Sequence, residues 1–230
     1  MKPSNLEILA YEDSPLGPLC LRRRELLSMP GTVVTEVTLN HEFLMSSHYT
    51  VSETALAALA LDMHQGSGLR VLVGGLGLGY TAHAALESPR VDELVVIELL
   101  PQVVGWLERG LLPLSGELRG DPRFRTEIGD FFQRMQGRPE ERFDLILVDI
   151  DHAPDHHLDR ANAPFYTNEG LASARAHLAP RGVLAVWSSA RSPDFVDGLE
   201  AVFDEVRAAP VTFFNALVHE ETTDWIFLAR

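Results

Sequence analysis

Four acidic residues stand where short apolar runs end. Glu98 closes ELVVIE, Asp130 follows FRTEIG, and Asp149 and Asp151 follow FDLILV. A glycine-rich turn precedes them in VLVGGLGLGYTAHAAL, from Val71 to Leu86. There Gly74, Gly75, Gly77 and Gly79 let backbone pass close to a bound molecule, because glycine has no Cβ and tolerates positive φ. The helix expected to begin near Tyr80 points free N–H groups at the same crevice. Glu98, some twenty positions after the turn at the tip of the second strand, is placed to accept hydrogen bonds from both hydroxyls of a ribose. The other positions suit the rest of an adenosine-bearing ligand. The glycine turn takes its tail, Asp130 its adenine amino group, and Phe131 and Phe132 its purine face. Asp130 is also a natural helix N-cap. An unpaired carboxylate at a buried strand end is costly to desolvate, so Asp149, nearest the ligand's reactive end, reads as functional, either catalytic or ligand-binding.

The elements that must hold these residues alternate. Strand RVLVGG leads to helix YTAHAALES, strand ELVVIE to helix PQVVGWLERG, strand FRTEIGD to the short helix FFQRMQ, strand FDLILVDI to helix NEGLASARAHL, and strand GVLAVWSS to helix SPDFVDGLEAVFDEV. Five nearly continuous apolar strands with helices between them predict a parallel sheet covered on both faces, with ligand at the strands' carboxyl ends. VTFFNAL and TDWIFLAR add a terminal antiparallel hairpin. That ending points to an α/β, Rossmann-type S-adenosylmethionine-dependent transferase fold. Before this sheet, LEILAYE, GPLCLRRR and GTVVTEVTL read as antiparallel strands broken by Pro and Gly. SETALAALALDM then reads as a helix. The expected division is a small β-unit over 1–50 and a catalytic domain over 51–230.

At 230 residues and 46% hydrophobic content the chain has enough apolar material for one large core or a core with a small appended unit. A net charge of −14 argues against nucleic acid as partner. Cys20 is the single cysteine, so no intrachain disulfide can form. Neither a signal peptide nor a bilayer-spanning run is read, which makes cytoplasmic the expected location and leaves no membrane partner. DHAPDHHLD, from Asp151 to Asp159, supplies His152, His156 and His157, but its spacing matches no zinc pattern; it reads as a solvated gating loop, with no metal expected. His152 beside Asp151 is placed to assist proton transfer. Trp106, Trp187 and Trp225 read as core, and Arg22 to Arg24 as a solvated face.

Taken in order, these segments resemble the spermidine synthase family, the polyamine aminopropyltransferases, over most of the chain. HEFLMSSHYTVSETALAALAL resembles the family's aspartate-glutamate-phenylalanine segment and its following helix. VLVGGLGLG stands at the glycine-rich loop, VVIELLPQVV at the ribose-binding segment, DPRFRTEIGDFF at the DPR…GDG stretch, FDLILVDID at the strand carrying the catalytic aspartate, and APFYT at the FY segment. The resemblance implies that Glu98 binds ribose, Asp130 adenine, and that Asp149 is the base. It places Glu53, Asp151, His152 and Tyr166 on the acceptor side. It also implies a homodimer and a small-molecule amine as substrate.

The chemistry so implied moves a three-carbon group from the sulfonium of decarboxylated S-adenosylmethionine to an amine that must be neutral to attack. A carboxylate takes or relays the amine proton, and no metal is required. The chain departs from the family at several positions. Gly77 replaces an aspartate that engages the donor's terminal amine, Val51 replaces a tyrosine near the diamine, arginines replace an acceptor-side glutamine, and DID replaces DSSDP. These departures leave S-adenosylmethionine itself open as donor. A small-molecule methyltransferase and a non-catalytic nucleoside-binding sensor are the alternative readings.

Overall fold

The computed structural model describes residues 5–230; the first four residues of the expected β-unit lie outside the described residues. The main sheet has seven strands in the order β10-β11-β9-β8-β5-β6-β7. They are β5 (Leu69–Gly74), β6 (Val91–Glu98), β7 (Phe124–Ile128), β8 (Phe143–Val148), β9 (Leu178–Ser188), β10 (Val206–Asn215) and β11 (Glu220–Ala229). β5 pairs in parallel with both β6 and β8, β7 joins β6, and β9 joins β8, so the five expected strands do form one parallel block. The chain order reverses at β5, between β6 and β8. That is the switch point at which open α/β sheets bind ligands.

β5 and β8 are central and read as continuous apolar runs because both of their faces are covered. Val71, Val73, Leu145 and Leu147 enter one hydrophobic cluster, and Leu72, Ile146 and Val148 enter another on the opposite face. The first cluster contains buried residues of α1 (Val51–Met63), α2 (Tyr80–Leu86), α3 (Pro101–Glu108) and α4 (Ser115–Gly120). The second contains those of α5 (Phe131–Gln136), α6 (Asn168–Ala176) and α7 (Pro193–Val202). α4 falls within a segment that the sequence reading treats as a connection. The terminal hairpin is present, but β11 inserts between β9 and β10 and pairs antiparallel with both. β10, not the last strand, is therefore the edge.

The N-terminal sheet has four antiparallel strands in sequence order: β1 (Leu6–Ser14), β2 (Gly17–Glu25), β3 (Val33–Leu39) and β4 (Glu42–Ser46). The sequence reading names three. β4 is short and none of its residues is fully buried, so it carries little apolar signal. Leu19, Leu21 and Val37 point inward and join the same cluster as α1 and β5, so this sheet shares a core with the larger one. On the other face Arg22 and Arg24 grip Glu36, which is only 3% exposed, with Nε–Oε distances of 2.9 Å. The arginine run thus corrects the solvated-face expectation at two of its three positions. Two guanidiniums neutralise one buried carboxylate, holding it below the usual glutamate range even though burial pushes it up.

Candidate active site

The carboxyl ends of β5, β6, β7 and β8 open onto a cleft of about 970 Å³ measured to its mouth. Its polar lining includes Glu98, Asp130, Asp149, Asp159 and Asn162; Leu19 and Val37 of the small sheet form part of its apolar wall. Beside it lies a second cavity of about 610 Å³, lined among others by Glu53, Tyr80, His152 and Trp187. Gly77 and Asp149 line both, as do Leu44, Met45 and Ile150. No lysine or arginine lines either cavity among the described residues.

The glycine turn is shaped by close approach. Gly75 has φ +89°, and a Cβ there would stand 2.4 Å from the Asp149 carbonyl oxygen, so any side chain would push the loop off β8. At Gly77, φ is +52° and a Cβ would meet Met45 Sδ at 3.0 Å. Gly75 and Gly77 line the larger cavity; Gly77 and Gly79 line the smaller. Gly74 lines neither: it lies under the Phe131 ring, 2.8 Å from where a Cβ would sit, and lets that ring close over β5. Of the nucleoside-side residues, Glu98 is buried, with Oε2 accepting from Leu76 N–H at 2.8 Å and Oε1 from Leu100 N–H at 2.8 Å. Burial raises its proton affinity while these backbone N–H groups oppose that shift. The backbone N–H groups of Gly77 and Leu99 also point at this carboxylate. Asp130 caps α5, its Oδ1 accepting from Gln133 N–H at 3.1 Å, and still lines the cleft with Phe131 and Phe132.

Asp149 is held from α2 by Thr81, whose hydroxyl donates to Oδ2 at 2.7 Å. Among the described residues no cationic side chain offsets its burial. Burial raises its proton affinity, Thr81 opposes, and the charge of Asp224 on β11 raises it again. Glu53, in the first turn of α1, is pushed up to about 7, first by burial and then by the charge on Asp149. Asp224, 8% exposed, is likewise raised by burial. Three carboxylates from α1, β8 and β11 therefore crowd together without a counter-ion. Such a cluster has raised proton affinities and favours a visiting cation.

The remaining expectations divide. His152 lines the smaller cavity, its basicity lowered by burial and by His156. Asp151 and Tyr166, expected on the acceptor side, line neither cavity. Asp151 is buried and accepts from Leu158 N–H at 2.7 Å, Asn162 Nδ2 at 2.8 Å and Tyr166 OH at 3.0 Å, which ties the histidine segment and the following 3-10 turn (Arg160–Tyr166) to β8. That segment is accordingly half folded into the body rather than solvated throughout. Among the described residues no group of three or more His, Cys, Asp or Glu side chains is placed to hold a metal ion. Trp187, expected in the core, packs on the core edge and also lines the smaller cavity, with its indole N–H buried and unpartnered. Thr81 and Asp224 are absent from the sequence reading. A hydroxyl in an alanine-rich helix and an acid opening the apolar run DWIFLA were the available signals.

A sheet in this strand order, with acidic tips around two joined cavities, defines an S-adenosylmethionine-dependent transferase fold. Two solved structures share it. A spermidine synthase in complex with the transition-state analogue AdoDATO superposes with a TM-score of 0.77 at 17% identity, covering 96% of this chain and 73% of that one. Spermidine synthase from Thermotoga maritima gives 0.73 at 16%, covering 96% and 71%. No protein-family model matches the chain. Its curated relatives include polyamine aminopropyltransferase 2 of Streptomyces coelicolor, 34% identical over 119 residues, which is 51% of this chain and 21% of the relative. Polyamine aminopropyltransferase of Mycobacterium tuberculosis is 30% identical over 165 residues, 70% of this chain and 30% of the relative. Putrescine N-methyltransferase 2 of Nicotiana tabacum is 29% identical over 115 residues, 50% and 31% respectively. The chain thus spans between a fifth and a third of the length of the curated relatives it matches. In sequence it is similar to polyamine aminopropyltransferases, and in fold to spermidine synthases.

Proposed function

We propose that this chain is an alkyltransferase that holds an adenosine-bearing sulfonium in the larger cavity and an amine in the smaller. The observation that carries this reading is that Asp149 lines both cavities. Glu98 takes the ribose hydroxyls, Asp130 the adenine amino group, and Phe131 and Phe132 the purine. Gly75 and Gly77 allow the donor's sulfur to approach the shared wall. The amine loses a proton to the Glu53 and Asp149 pair. Its nitrogen then attacks the carbon next to sulfur, the carbon–sulfur bond breaks, and the electron pair stays on the thioether. Holding the two reactants in line supplies much of the remaining acceleration.

The acceptor is a small amine, and the transferred group is aminopropyl. A lining rich in carboxylates and free of arginine and lysine opposes the carboxylate of intact S-adenosylmethionine and favours the decarboxylated donor. The same absence of basic lining does not fit a nucleic-acid role. A second reading, N-methylation of the amine, is favoured by Gly77, where no side chain reads the donor's tail, and by the similarity to a putrescine N-methyltransferase. Homodimer formation and a cytoplasmic setting belong to the proposal; light scattering tests the first.

Thermal stabilisation by each donor, followed by mass analysis of the product, decides among these readings. The expected result is stabilisation by the decarboxylated donor and an amine heavier by an aminopropyl group. A methylated product establishes the second reading. Donor binding without turnover across a panel of amines makes the chain a nucleoside sensor.

A further inference from the structure

Among the described residues, Glu53 and Asp149 are the two carboxylates that line the smaller cavity; Asp224 is buried and lines neither cavity. The two lie on neighbouring elements. The Thr81 hydroxyl is 2.7 Å from Asp149 Oδ2 and 3.5 Å from the Glu53 carbonyl oxygen, which sets the first turn of α1 beside the end of β8. Asp151, the next acid along the chain, is turned away from the cavity, buried and engaged with Leu158 N–H, Asn162 Nδ2 and Tyr166 OH. The rest of the lining is neutral. Ser46, Tyr80 and His152 are its other polar side chains, and burial followed by the charge of His156 lowers the proton affinity of His152. Leu44, Met45, Leu76, Leu78, Ile150 and Trp187 make the walls.

We propose that the acceptor is a primary monoamine with an apolar body, rather than a diamine. The proposal rests on the reading that an amine is alkylated beside Asp149, and it narrows the substrate class of that site. Glu53 and Asp149 serve the reacting nitrogen, so a second ammonium would leave water without a carboxylate of its own. Burying a charge without a partner is unfavourable, whereas a methyl group in the same place gains by leaving water. Burial and like charge raise the proton affinity of both acids, which leaves the pair with less than two full charges near neutral pH. A single cation matches it. The transfer itself balances as before. The ammonium gives its proton to the acidic pair, the neutral nitrogen bonds to the carbon next to sulfur, and that carbon–sulfur bond breaks with its electron pair left on the thioether. The product is a secondary ammonium.

Butylamine and putrescine supply the test, because they share a four-carbon chain and differ by one terminal ammonium. Initial rates are measured for each with the decarboxylated donor, or with S-adenosylmethionine if that donor alone is used, and then along butyl-, pentyl- and hexylamine. About 0.15 M salt screens the chain's net charge of −14, which would otherwise gather any dication. Butylamine is expected to exceed putrescine in kcat/KM by about tenfold or more, the least that an unpartnered buried charge costs. Each added methylene is expected to raise kcat/KM by roughly fourfold until the walls are filled. Putrescine turned over as well as butylamine, or better, overturns the proposal. If no amine is alkylated, the transfer reading fails on its own and thermal stabilisation by the amines decides. A larger rise in Tm with butylamine than with putrescine then supports the single-cation cavity, and an equal or smaller one overturns it.

Discussion

Two of the places where this molecule buries carboxylates settle the charge in opposite ways. In the N-terminal sheet, Glu36 sits between Arg22 and Arg24, and its proton affinity is held down. Around the smaller cavity, Glu53, Asp149 and Asp224 have no arginine or lysine partner among the described residues, and all three are pushed up. Burial raises a carboxyl in both places, so the counter-ion decides the outcome. A clamp that neutralises itself is structural. A cluster left short of positive charge is prepared for a ligand that brings it.

The sharpest way to break this contrast is Asp149→Asn. It is expected to cut kcat by about 10² or more while donor-induced thermal stabilisation persists; a variant with wild-type turnover would remove Asp149 from the chemistry. Next, Glu98→Gln is expected to weaken donor binding by roughly tenfold or more, since a hydrogen bond to a charged group is worth about 1.5–3 kcal/mol. Calorimetric titration of the donor checks it. On the clamped side, Glu36→Gln leaves activity intact but costs about 2 kcal/mol in denaturant unfolding. This is less than the roughly 3–5 of a fully buried broken pair, because both arginines remain partly exposed.

The pH dependence separates the two sites by sign. Glu53 titrates near 7 when folded, above its ordinary 4.5, so the folded chain keeps a proton that the unfolded chain has released. Stability contributed here falls as pH rises through that window. Glu36, held low, does the reverse: its contribution is present above the unfolded value and is lost as pH falls through the folded one. The increase in Tm given by putrescine should therefore grow between pH 6 and pH 8, by about a kcal/mol or less of added stabilisation. A gain independent of pH would separate the amine from the acidic cluster. Smallest of all, Asp130→Ala is expected to lose about 1 kcal/mol with the α5 cap.

Much of this architecture was legible in the chain. Central strands covered on both faces write themselves as apolar runs, and their tips follow from where those runs stop, which is why Glu98, Asp130 and Asp149 were found with the correct strands. What escaped notice depended on partners distant in sequence. The role of Asp224 comes from β11 slipping between β9 and β10 and facing α1, a pairing that no local pattern encodes. Asp151 and Tyr166 sit in family-like segments, yet Asp151 takes hydrogen bonds from Tyr166, Leu158 and Asn162 within the following segment. Arg22 and Arg24 alternate as an exposed strand face would, and only the register with β3 reveals Glu36 between them.

The apolar wall that the small sheet contributes also limits traffic through the molecule. Leu19 and Val37 line the nucleoside cleft and at the same time belong to the core that extends into α1 and β5. Raising this sheet like a hatch would strip that core of its cover, at roughly 25 cal/mol for each Å² of apolar surface wetted. The opposite bank, residues 158–162, is tied instead by polar contacts, Asp151 accepting from both Leu158 N–H and Asn162 Nδ2.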